Sequence, residues 1–177
     1  NLGLALEKKG DLEGARTAFA EASRLGSAPA TLKLAAPHLA AKRYDEALAT
    51  YEKAFASGMG ESMDRYNVGV LLERAGRTDD AIASYKAAIG MDPSHAPSHY
   101  NLGTLHLKKG DAPAALVEFE AAAKDPKFGK ARAGLAQIHA SRNEWADAIT
   151  AYQAAVAAVP ADAQLRADLA RALLEAD

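Results

Sequence analysis

Cysteine is absent from the 177 residues. Disulfides and thiolate metal or redox sites are therefore excluded, and no compartment is indicated by their absence. No apolar run approaches the ~18 residues that span a bilayer, which argues against membrane insertion. Charge of one sign is also lacking: Lys plus Arg is 21 and Asp plus Glu is 23, a net charge of −2. A nearly neutral chain has no general attraction for polyphosphate, which counts against nucleic acid and anionic membrane as partners. Catalytic patterns are missing too. There is no G-x-S-x-G elbow, and no Gly-rich phosphate loop follows a strand. β-Branched residues are few, whereas 44 of the 177 residues are Ala, the best helix former. The composition predicts a helical chain with one domain's worth of residues. These residues contain no charged-then-apolar leader. The chain opens at Asn1 inside the register of a first helix, which predicts a piece of a longer protein.

What is present is a repeat. Asn1-Leu2-Gly3, Asn67-Val68-Gly69 and Asn101-Leu102-Gly103 each lead, seven residues after their own Gly, to Gly10, Gly76 and Gly110. Ala15, Ala81 and Ala115 follow five residues later, then Phe19, Tyr85 and Phe119, then Ala22, Ala88 and Ala122. Two weaker copies run through Leu34, Ala35, Ala47, Tyr51 and Ala54, and through Leu135, Ala136, Ala148, Tyr152 and Ala155. The alanine anchors 15, 47, 81, 115 and 148 are 32, 34, 34 and 33 residues apart. A partial sixth copy begins with Leu169, Ala170 and Leu173.

Each copy reads as two helices. Leu102, Leu105 and His106 make one stripe, Gly110-Asp111 punctuates, and Ala115, Leu116, Phe119 and Ala122 make the second. Asp92-Pro93, Asp125-Pro126 and Pro160 end second helices. Pro97 and Pro113 fall in first turns, where a missing N–H costs nothing. Small residues at Gly3, Ala35, Gly69, Gly103, Ala136 and Ala170 face the alanine anchors and let paired helices approach, while the aromatic four residues on fills the adjacent space.

The motif from Asn101 through Gly110, Ala115, Phe119, Ala122 and Asp125-Pro126 resembles the tetratricopeptide repeat (TPR) family over essentially all 177 residues. The resemblance implies an all-α, right-handed α-solenoid (superhelix) of antiparallel helix pairs. It implies repeats at about 1–28, 29–61, 62–95, 96–128 and 129–161, a terminal helix at 162–177, and one domain over 1–177. It also implies a protein-interaction scaffold whose concave groove, lined by the first helix of each pair, takes a peptide or helix of another protein. No cofactor, metal or catalytic residue is implied. Neighbouring copies of such a solenoid bury one another's apolar faces.

Carried over position by position, the groove residues are Tyr66, Asn67, Val70, Glu73 and Arg74; Tyr100, Asn101, Thr104, Leu107 and Lys108; Leu32, Lys33, Ala36, Leu39 and Ala40; Ala133, Gly134, Gln137, Ala140 and Ser141; Asn1, Leu4, Glu7 and Lys8; and, in the partial sixth copy, Ala167, Asp168, Arg171 and Leu174. An Asn amide can both accept from and donate to a peptide backbone, so Asn67 and Asn101 could grip one without reading its sequence. Equally, Asn in this column could stabilise only the helix start. The row is interrupted by Lys33, Gly134 and Asp168. Tyr66 and Tyr100 are amphipathic anchors, or they lean on the next repeat as packing. Lys8, Arg74 and Lys108 share a column that could attract an acidic peptide. The Lys/Asn–Asn–Lys/Arg clamp with which some family members hold a C-terminal carboxylate is missing: Leu32 and Ala36, Tyr66 and Val70, or Tyr100 and Thr104 stand in its first pair.

Copy two departs most. Lys33, Ala35 and Lys42 replace Asn and both glycines, and Pro37 inside 32–41 predicts a kink. His38, His106 and His139 share a column where core packing is expected. His95 and His99 are four apart, but Pro97 between them disfavours a zinc pair. Trp145 is expected to pack. An alternative to groove binding is a structural subunit of a larger bacterial envelope, secretion or motility complex. It would use the convex face or the open ends, through which the chain would also self-associate. A soluble location, cytoplasmic or periplasmic, suits either reading.

Overall fold

The computed structural model describes residues 2–25, 30, 33–35, 38, 41, 43–56, 60–126 and 128–176. Among them the chain is helix and turn, with no strand. The helices are α1 (Leu2–Lys8), α2 (Leu12–Arg24), α3 (Tyr44–Ala56), α4 (Ser62–Arg74), α5 (Thr78–Met91), α6 (Ala96–Lys108), α7 (Ala112–Ala123), α8 (Gly129–Ser141), α9 (Trp145–Ala158) and α10 (Ala163–Glu175). None of them is long and apolar enough to cross a membrane. Pro37 and its expected kink, with Asn1, Leu32, Ala36, Leu39, Ala40 and Lys42, lie outside the described residues. The chain forms two compact units, 1–84 and 85–177.

The repeat columns have a physical meaning in each unit. The anchors Ala15, Ala47, Ala81, Ala115 and Ala148 are all buried, as are Tyr51, Tyr85, Phe119 and Tyr152 four residues after theirs. A methyl group is the largest side chain that lets the paired helices close to contact there. The turn glycines Gly10, Gly76 and Gly110 have φ of 82°, 76° and 79°. In the fifth copy Asn143 takes that place with φ 59°, the left-handed conformation that Asn tolerates best after Gly. Asp11 and Asp111 follow two of the glycines and cap the next helix, accepting the N–H of Gly14 at 2.9 Å and of Ala114 at 3.1 Å. Pro97 and Pro113 sit in the first turns of α6 and α7. Within the first unit, the Arg65 guanidinium lies 3.7 Å from the centroid of Phe55, and the Ser84 hydroxyl donates to the Arg65 carbonyl at 2.7 Å.

In the second unit a repeated strap closes the loop before each first helix. The donor always stands six residues after a proline. His99 Nε2–H donates to the Pro93 carbonyl at 3.1 Å. Arg132 donates to the Pro126, Asp125 and Ala123 carbonyls at 3.1, 3.2 and 2.6 Å. Arg166 donates to the Pro160 carbonyl. Carbonyls at and beyond a helix C-terminus lack donors from that helix, and the strap supplies them; the Asp125 carbonyl also accepts the Phe128 N–H at 3.0 Å.

His95 caps α6: its Nδ1 accepts the Ser98 N–H at 3.2 Å and lies 2.8 Å from Ser98 Oγ. Only the neutral ring can accept there. Burial pushes His95 below the usual histidine range; Asp92 opposes this and His99 adds to it. A depressed folded-state value means that stability is present above the unfolded value near 6.5 and is lost as pH falls. Relative to His95→Asn, the parent is expected to lose about 1 kcal/mol, the worth of a cap, between pH 7 and 5. Parallel urea titrations at both pH values check this.

Candidate functional site

The second unit brings three first-position helices around one cleft of about 300 Å³. Tyr100, Thr104 and Leu107 come from α6; Lys130, Ala133, Gly134 and Gln137 come from α8; Val159, Asp162 and Leu165 come from the α9–α10 connection and the start of α10. On α6 the spacing is i, i+4, i+7, one helical stripe. The Thr104 hydroxyl donates to the Tyr100 carbonyl at 2.9 Å, which leaves its oxygen lone pairs as an acceptor. Gln137 is exposed and offers both a donor and an acceptor.

The floor is Phe119, a residue of α7 that is 2 % exposed. Its ring lies between two glycines. A Cβ added at Gly103 would stand 2.9 Å from Cε1, and one added at Gly134 would stand 2.8 Å from Cε2 on the other edge. The missing side chains of α6 and α8 are thus the space that the ring fills. Tyr100 extends the aromatic surface, 5.8 Å from Phe119 and 5.5 Å from Phe128 between centroids, the latter edge-on at 67°.

Of the residues expected in a groove, Tyr100, Thr104, Leu107 and Gln137 line this cleft, with Ala133 and Gly134. Asn101 and Lys108 stand on the same helix but do not line it. Asn101 is half-buried and its Nδ2 donates to Tyr85 Oη at 3.1 Å, tying α6 to α5. One of its two amide protons therefore serves packing. Tyr66, Asn67 and Val70, half-buried, and Arg74, exposed, belong to α4 in the first unit. Lys33 lines a different, apolar cleft of the first unit with Leu2, Leu4, Phe19 and Leu25, and pairs with Glu7 at 3.1 Å.

His106 and His139 are half-buried. Each turns Nδ1 toward the carboxylate that opens the next helix, Asp111 at 3.8 Å and Glu144 at 2.6 Å. His139, Glu144 and Asp147 bring ligand atoms within 4.8 Å of one another, but the first two already satisfy each other. His95 and His99 are held apart by their separate partners, the Ser98 amide and the Glu118 carboxylate, the latter 2.7 Å from His99 Nδ1. Trp145 packs on the cluster of Ala136, Ala148, Tyr152 and Ala172.

Helix pairs of about 34 residues, small-residue crossings and a cleft between first helices define an all-α helix-pair repeat protein. The chain belongs to the tetratricopeptide repeat family. One tetratricopeptide repeat family model matches residues 1–62 and 66–131, and a second matches 106–167. Among solved structures, MamA is 18% identical, with a TM-score of 0.74 over 97% of this chain and 98% of that one. YrrB, described as a TPR protein with an unusual peptide-binding site, is 21% identical, with a TM-score of 0.73 over 96% of this chain and 88% of that one. A tetratricopeptide repeat protein of Parabacteroides merdae is 20% identical, with a TM-score of 0.74 over 98% of this chain and 70% of that one. No curated protein sequence matches the chain.

Proposed function

We propose that this chain is a protein-interaction module and not a catalyst, and that it takes a peptide or helical segment of another protein on the first-helix face. The observation that carries this reading is the convergence of Tyr100, Thr104, Leu107 and Gln137 on one largely apolar cleft floored by Phe119. An aromatic surface beside a few hydrogen-bonding groups is the usual make-up of a binding anchor. The peptide-binding site named for YrrB supports the same class of ligand. On α4 of the first unit Tyr66, Asn67, Val70 and Arg74 occupy the corresponding positions and are proposed to contact the partner. Asn101, Lys108 and Lys33 are proposed to contact it at the margins.

The test is selection of peptides from a random display library on this chain, followed by anisotropy titration of the selected peptides. Leu107→Asp is expected to weaken binding at least tenfold. Val117→Asp, at an exposed position of α7, is expected to change it less than twofold. The reverse order would place the site elsewhere. A second reading, assembly through the exposed Leu173 and Leu174 of α10, predicts instead that Leu174→Asp alone abolishes association.

A further inference from the structure

The charged groups lining the cleft are Lys130 and Asp162, and they are not equivalent. Asp162 caps α10: its Oδ1 accepts the N–H of Gln164 at 2.9 Å and of Leu165 at 3.2 Å. Its negative charge faces the positive end of that helix, equivalent to about half a unit charge, and is partly offset there. Lys130 is exposed and makes no ion pair among the described residues.

Lys130 is also in an unusual place for a lysine. It is the second residue of α8, where a cation adds to the positive end of the helix instead of opposing it. The N-cap of α8 is Phe128, which offers no side-chain acceptor, and the first turn of α8 contains no acid. The neighbouring α7 and α10 have capping Asp111 and Asp162. Arg132, two residues on, is occupied by carbonyls at and just after the end of α7. The α8 edge of the cleft therefore sets an exposed lysine and a helix start with no acid in its first turn beside an apolar surface.

We infer that the segment taken by this cleft is acidic: an aliphatic or aromatic side chain sits against Tyr100, Leu107 and Phe119, and an Asp or Glu within two residues of it pairs with Lys130. This rests on the reading of the cleft as a peptide site and adds the chemistry of the peptide. The apolar side chain supplies area against the Phe119 floor. The carboxylate gives direction and choice among partners, since opposite charges at a rim act on specificity and association rate more than on total affinity.

The test is an array of amidated ten-residue peptides, Gly and Ser throughout apart from a central Leu or Phe flanked on both sides by Glu, Gln or Lys. Amidation leaves the side-chain carboxylates as the peptides' only anions. The full chain is expected to be retained about fivefold better on Glu than on Gln spots, as for one exposed ion pair, and least on Lys spots. Lys130→Gln is expected to remove the preference and Lys130→Glu to invert it. Retention that Leu107→Asp abolishes, but that is equal on Glu, Gln and Lys spots, would overturn this inference and leave the cleft reading standing. Retention on no spot, or retention that Leu107→Asp does not alter, would overturn both.

Discussion

Phe119→Ala is expected to lower the unfolding free energy by about 3–5 kcal/mol, the cost of removing a buried aromatic side chain and leaving its cavity. The high end applies because the site cannot collapse. The ring is 2 % exposed, and the faces it touches belong to Gly103 and Gly134, which have no side chains to move into the void. Ala115 and Ile138 lose their partner in the same cluster, and Tyr100 loses the ring beside it. Urea titration followed by helical circular dichroism reads the effect as a lower midpoint. A loss below about 1 kcal/mol would mean that the ring is not enclosed by the two helices. The variant should also bind selected peptides poorly under conditions where it is still folded, because the cleft loses its floor.

Gly103→Leu acts on the same contact from the other side. Its Cβ alone would stand 2.9 Å from the Phe119 ring and 3.3 Å from the Ala115 carbonyl. The ring has Gly134 behind it, and the carbonyl is helix backbone, so neither can retreat cheaply. Overpacking of this kind costs typically about 1–3 kcal/mol and occasionally more; here about 3 kcal/mol is expected. The sharper result is the double variant. Phe119→Ala opens the space that the introduced leucine side chain needs, so Gly103→Leu with Phe119→Ala should be less destabilised than the sum of the single changes by about 1–3 kcal/mol. Strict additivity would contradict the packing described.

Much of the fold is legible in the sequence because it depends on residue size and backbone conformation. Ala115 must be small, Gly110 must take a positive φ, and Asp111 must cap; each requirement leaves one or two residue types, and the period repeats them. Even Asn143 fits, since Asn is the best substitute for Gly at that φ. The site is less legible because it depends on where side chains end. Gly134 looks like a missing rung in a row of asparagines, yet its lack of a side chain is what admits Phe119. Asn101 reads as a peptide-gripping amide, and one of its protons goes to Tyr85. The strap formed by His99, Arg132 and Arg166 keeps a fixed spacing from Pro93, Pro126 and Pro160, but its donor changes between His and Arg and its acceptors are backbone carbonyls, so the spacing alone does not announce a contact. Lys130 stands out only once the caps of α7, α8 and α10 are compared.

The most direct measurement is photo-crosslinking of a selected peptide to the chain carrying benzoyl-phenylalanine at one exposed position at a time. With the probe at Gln137, which lines the cleft, the peptide should be joined in high yield, and unlabelled peptide should suppress the product. With the probe at Gln153 on α9, which does not line the cleft, the yield should be at background. Crosslinking from Gln153 with none from Gln137 would contradict binding in the cleft between α6, α8 and α10.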